Sequence, residues 1–122
     1  MNETALIVED DEDLANIFAE ALHSVGFEVE HVADGKKAEE RLEGGTPPYL
    51  ILLDMHIPHI SGGDLLTNVI KPNEQFSNTI VIITTADARM GDAYRDQADF
   101  VMIKPISFVQ LRDLTARLKP QQ

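Results

Sequence analysis

Tyr49-Leu50-Ile51-Leu52-Leu53-Asp54 decides how this chain folds. A continuous apolar run, entered from Pro47-Pro48 and ended by a carboxylate, reads as a strand buried on both faces. Strands of that kind belong to parallel sheets covered by helices on each side. Three further runs share the form: residues 5–8 end in Glu9 and Asp10, 79–83 in Thr84 and Thr85, and 100–103 in Lys104. If the strands are parallel, three carboxylates, a hydroxyl and an amine meet at one edge of one sheet. Open α/β sheets bind their ligands at that edge.

Helical periodicity fills the intervals. Leu14, Ile17, Phe18, Ala21, Leu22 and Val25 recur at spacings of three and four, behind an acidic first turn of Asp11, Glu12 and Asp13. Gly26 stands where a helix C′ glycine belongs. Residues 27–32 alternate apolar and polar, which predicts an edge strand with one exposed face. Asp34 caps a short helix over 35–42 that Gly44-Gly45 ends. Ser61 caps another, carrying Leu65, Leu66, Val69 and Ile70, which must stop near Pro72. Residues 89–97 predict a weak polar helix with little apolar surface. Ser107 and Gln110 have the capping-box spacing and open a last helix with Phe108, Leu111, Leu114 and Leu118 inward. The alternation predicts an α/β fold with a mainly parallel sheet. Residues 1–122 read as one domain without repeat or linker, with 119–122 a tail.

Composition narrows the function. At 122 residues and 43% hydrophobic, the chain suits a single packed core. It has no cysteine, which excludes disulfides, thiolate zinc sites and thiol catalysis and fits a reducing cytoplasm. The formal charge is −11, from 10 basic and 21 acidic residues. Such a surface repels nucleic acid and anionic lipid, which points to a protein or a cation as partner. No run approaches a membrane span, and the N-terminus lacks the basic region of a signal peptide.

Glu9, Asp10 and Asp54 converging on one spot repel one another unless they take up a proton or a cation. All-oxygen donors favour a hard ion, and Mg²⁺ is typical where carboxylates share it with a phosphate and water. A phosphoryl group would find each part it needs. Asp54 is a nucleophile able to form an aspartyl phosphate, Mg²⁺ and Lys104 neutralise the oxygens, and Thr85 offers a hydroxyl donor. No obvious nucleotide-binding motif is present: there is no G-x-x-x-x-G-K-[ST] loop and no G-x-G-x-x-G after the first strand. The donor's binding surface is therefore expected on another protein. Taken singly, Asp54 would be a loop aspartate, Thr85 and Asp87 helix caps, and Lys104 a surface lysine. Four strand ends together favour a site. His23, His31 and His59 read as surface or edge residues, and His56 has no second histidine at ligand spacing.

These residues resemble a response-regulator receiver domain, the phosphoacceptor half of two-component signalling. The resemblance spans the chain through Ile7-Val8-Glu9-Asp10-Asp11, Leu52-Leu53-Asp54-Met55-His56-Ile57-Pro58 followed by Gly62, Ile83-Thr84-Thr85-Ala86, and Lys104-Pro105. It implies a flavodoxin-like, doubly wound five-stranded parallel sheet of order 2-1-3-4-5 with helices on both faces. It implies that Asp54 takes a phosphoryl group from a histidine kinase or phosphotransfer protein. Asp10 would bind Mg²⁺ directly and Glu9 through water, with Asp54 and the His56 backbone carbonyl as further ligands. Thr85 and Lys104 would grip the phosphoryl oxygens, and Lys104-Pro105 would be a cis peptide. His56 and Asp87 would lie near the attacking water and tune the lifetime. The signal would pass through the 85–118 face to a downstream protein target or output domain, and a homodimer is compatible with the pattern.

One position departs from the family. Receivers often carry an aromatic three residues before the lysine, where this chain has Val101, with Phe100 one residue earlier. A shift of one residue puts a strand side chain on the opposite face, so threonine–aromatic switching loses its ring. Two other readings use the same residues: a phosphorylation-independent docking domain on a receiver scaffold, and a Mg²⁺-dependent aspartyl-phosphate phosphatase. The phosphatase would need a second acid close after Asp54, where Met55-His56 stands.

Overall fold

A computed structural model describes residues 3–119. Of the expected tail, Lys119 is described and residues 120–122 lie outside the described residues. The elements alternate as foreseen: β1 (Thr4–Val8), α1 (Glu12–Ser24), β2 (Glu28–Val32), α2 (Gly35–Glu43), β3 (Leu50–Asp54), α3 (Gly62–Asp64), β4 (Ile80–Thr85), α4 (Ala88–Tyr94), β5 (Phe100–Ile103) and α5 (Phe108–Leu118). All neighbouring strands pair in parallel, in the order β2-β1-β3-β4-β5.

Strand alternation divides the core into two layers. Leu6, Val8, Ile51, Leu53, Val81 and Ile83 face α2, α3 and α4, where Ala38, Leu42, Leu65 and Leu66 complete the packing. Ala5, Ile7, Leu50, Leu52 and Ile82 face α1 and α5, against Phe18, Leu22 and Leu111. β3 is buried along its whole length, which explains why its sequence shows no polar alternation. β2, the edge strand, exposes Glu28, Glu30 and His31.

Local signals end the helices. Asp11 caps α1 by accepting from the Leu14 N–H at 3.1 Å. At its other end Phe27 N–H donates to Leu22 and Gly26 N–H to His23, a Schellman arrangement that Gly26 permits at φ 101°. Asp34 caps α2, Ser61 caps α3, and Ser107 with Gln110 forms the full capping box of α5.

Two details differ from expectation. Ile17 lies on the apolar stripe of α1 yet is 41% exposed, because the packing of α1 is concentrated against β1, β2 and α5. The helix after Ser61 is α-helical for one turn and then a π-helix over Leu65–Ile70, with Lys71 N–H donating to Leu66. π bonding stacks residues five apart, which lines up Leu65 and Ile70 on the buried face.

Candidate functional site

Parallel strands in this order diverge between β1 and β3, since the connections after them cross to opposite faces of the sheet. The crevice lies at their C-terminal ends. β1 delivers Glu9 and Asp10 there, β3 delivers Asp54, β4 Thr85, and the turn after β5 Lys104. Glu9, Asp10 and Asp54 each place a carboxylate oxygen within 4.8 Å of the others. Glu9 and Asp54 are buried and Asp10 is exposed at the mouth.

Lys104 ties the cluster together. Its Nζ donates to Glu9 Oε1 at 3.0 Å and to Asp54 Oδ2 at 3.2 Å, across 95 and 50 residues of sequence. Its backbone N–H donates to the Thr85 carbonyl at 2.8 Å, and the Lys104–Pro105 peptide is cis. The remaining carboxylate oxygens meet main-chain donors. Asp54 Oδ1 accepts from the His56 N–H and Glu9 Oε2 from the Asp11 N–H, both at 3.1 Å. Among the described residues no buried side-chain polar atom lacks a partner.

Burial raises the Glu9 pKa from an ordinary 4.5 to about 7, helped by the nearby Asp54, although Lys104 and the Asp11 N–H pull it down. Burial works against the charge on Lys104, yet the Glu9 and Asp54 carboxylates outweigh it and raise its pKa. Both shifts describe a site short of positive charge. Three oxygen-bearing acids around one point, one of them open to solvent, fit a hard divalent cation.

Thr85 is buried, and its Oγ1 accepts from the Asp87 N–H at 3.0 Å. Asp87 caps α4, accepting from the Arg89 N–H at 2.9 Å and the Met90 N–H at 3.4 Å, so its carboxylate is engaged in a helix start. The His56 side chain is exposed. Val101 turns toward α4 and Met102 toward α5, so Phe100 lies on the face opposite Val101, as strand parity requires. Phe100 is 36% exposed, and Ile103 beyond it is 43% exposed.

Sequence reasoning missed His31. Its Nε2 lies 2.7 Å from the Glu9 carbonyl oxygen, so this edge-strand residue bonds to the backbone of the site. The register Ile7↔His31 puts it near the end of β1, and only the parallel pairing of β1 with β2 signals that.

The response regulator receiver domain model matches residues 5–116. This chain belongs to that family. Over 123 residues it is 30% identical to the probable methanogenesis regulatory protein FilR2 of Methanothrix harundinacea, covering 93% of this chain and 79% of that protein. It is 32% identical to the polar-differentiation response regulator DivK of Brucella ovis, covering 88% of each. It spans only 43% and 45% of two matched transcriptional regulatory proteins. Among solved structures, the receiver domain of sensor histidine kinase PA1611 from Pseudomonas aeruginosa PAO1 superposes with a TM-score of 0.82 at 26% identity. That match covers 96% of this chain and 97% of the other, whose active-site cleft holds a coordinated magnesium ion. The five-stranded parallel sheet of order 2-1-3-4-5 with helices on both faces is thus a receiver fold.

Proposed function

We propose that this receiver domain is a phosphoacceptor in which Asp54 takes a phosphoryl group from the phosphohistidine of a histidine kinase or phosphotransfer protein. The observation that carries the reading is the convergence of Glu9, Asp10 and Asp54 on one point with Lys104 bridging two of them. An Asp54 carboxylate oxygen bonds to phosphorus, the phosphorus–nitrogen bond breaks, and the imidazole leaves with its electron pair. Mg²⁺, when bound, supplies charge neutralisation for the phosphoryl oxygens.

The chain's own residues do the rest. Glu9, Asp10 and Asp54 would hold the ion, with the His56 backbone carbonyl as a further ligand. The His56 N–H fixes one Asp54 oxygen and so sets the carboxylate's orientation. Lys104 keeps an ammonium within reach of Asp54, and Thr85 keeps a hydroxyl at the adjoining strand end. His56 and Asp87 tune how long the phosphoryl group lasts, Asp87 through the start of α4. The α4–β5–α5 face then meets a downstream protein or output domain in the cytoplasm, and residues 1–122 act as one receiver unit. Among the described residues no helix is long and apolar enough to cross a membrane.

Intact mass after incubation with acetyl phosphate, with and without Mg²⁺, tests this beside Asp54→Asn. One phosphoryl group gained only with Mg²⁺, and not by the variant, is expected. No gain from acetyl phosphate or from any phosphorylated histidine donor would overturn the reading in favour of phosphorylation-independent docking.

A further inference from the structure

The family's aromatic switch has no ring at Val101, and α4 packs closely against the side chain that stands there. Gly91, the one buried residue of α4, lies so close to β5 that a methyl there would stand 2.9 Å from Val101 Cγ1 and 3.3 Å from Ile103 Cδ1. The helix backbone itself rests on Val101. Phe76, just before β4, and Tyr94 are aromatics on this side of the sheet, and Tyr94, in the last turn, is the one that α4 itself supplies.

Tyr94 is seated on a glycine. A methyl on Gly63 would overlap the Tyr94 hydroxyl and the ring carbon that bears it. Its neighbour Gly62 is pressed as closely onto the phosphoacceptor strand: a methyl there would overlap the Asp54 carbonyl and stand 2.7 Å from the Met55 Cα. Consecutive glycines thus sit between Asp54 and Tyr94, with no side chain to absorb a movement. Farther along, Thr67 Oγ1 donates to Gln97 Oε1 at 3.0 Å, a second tie between the helix after Ser61 and the turn after α4. α4 has few other anchors, since Ala88, Arg89, Asp92 and Ala93 are all exposed. A sparsely buried element linked to the strand of Asp54 through Gly62 and Gly63 is suited to a two-state response.

We propose that Tyr94, seated on Gly63, is the aromatic element that couples the state of Asp54 to α4, in place of a ring at position 101. The inference rests on Asp54 being a phosphoacceptor. Displacement of the Asp54–Met55 backbone moves Gly62 and Gly63, and the Tyr94 ring must follow or lose its seat. Tyr94 is a positioning residue, remote from the reacting atoms.

Amide exchange of residues 88–97, measured before and after acetyl phosphate and Mg²⁺ on the full chain, tests it. Intact mass reports phosphorylation in each sample, and exchange in β1 and β3 reports folding. In the wild type and in Val101→Ala, phosphorylation should change exchange over α4 by about fivefold or more. In Tyr94→Ala and Gly63→Ala the mass gain should persist while that difference between states disappears. Gly63→Ala keeps the tyrosine on its helix, so it separates lost coupling from a melted α4. A difference between states that survives in both variants would overturn the coupling while leaving the phosphoacceptor reading intact. No mass gain in any protein would instead overturn the phosphoacceptor reading, and this coupling with it.

Discussion

Replacing Glu9 by Gln removes the most perturbed acid of the site, and its effect should depend on pH in a definite sense. In the unfolded chain Glu9 titrates at the ordinary 4.5, and in the folded chain at about 7. Below pH 4.5 both states hold the proton and the group costs nothing. Between 4.5 and 7 the folded state keeps a proton that the unfolded state has lost, so folding weakens as pH rises. Above 7 the penalty is complete and constant. A displacement of that size corresponds to about 3 kcal/mol, at 1.36 kcal/mol for each pH unit. Glutamine carries no such penalty and can still accept from Lys104. Urea denaturation of wild type and Glu9→Gln in chelator, from pH 4.5 to 8, should show the variant gaining on the wild type by up to about 3 kcal/mol as pH rises. A difference that stays flat across that range would refute the claim that burial holds the proton on Glu9. Saturating Mg²⁺ should shrink the wild-type penalty, because a bound divalent ion favours the carboxylate form.

Lys104→Met leaves Glu9 and Asp54 facing each other without their ammonium. The metal-free protein should lose roughly 2–3 kcal/mol at pH 8, toward the low end for a broken buried pair because Lys104 is partly solvated, and urea titration at pH 5 should recover much of it as Glu9 protonates. Ser107→Ala breaks the capping box of α5 and should cost about 1 kcal/mol in the same assay, with the mass gain from acetyl phosphate unchanged.

The parts of the fold legible in the sequence were those written in local chemistry. Leu50 to Leu53, a short apolar run between Pro47-Pro48 and Asp54, read as a doubly covered strand, and alternation in β2 marked the sheet edge. Gly26, Asp34, Ser61 and Ser107 set helix ends because each acts within four residues of itself. The convergence of Glu9, Asp10, Asp54 and Lys104 was legible because each group ends a strand, and parallel pairing brings strand ends together. The π-helix was not legible. Leu65, Leu66, Val69 and Ile70 satisfy an α-helical stripe equally well, and only the main-chain bonding tells the two apart. Nor was the contact of His31 with Glu9, which depends on the register of two strands separated by α1. Residues 89–97 read correctly as poorly buried. Tyr94 among them could be placed on Gly63 only once α3 and α4 were set side by side on the same face of the sheet.

The Lys104 bridge gives the site the character of an ion exchanger with its own tethered counter-ion. The ammonium already balances part of the charge on Glu9 and Asp54. A divalent cation arriving from solution would therefore compete with an amine that can never diffuse away, whose effective concentration is set by its four-carbon stem. Exchange against such a competitor would cap the affinity for an ion, and the same bridge holds Glu9 and Asp54 together when none is bound.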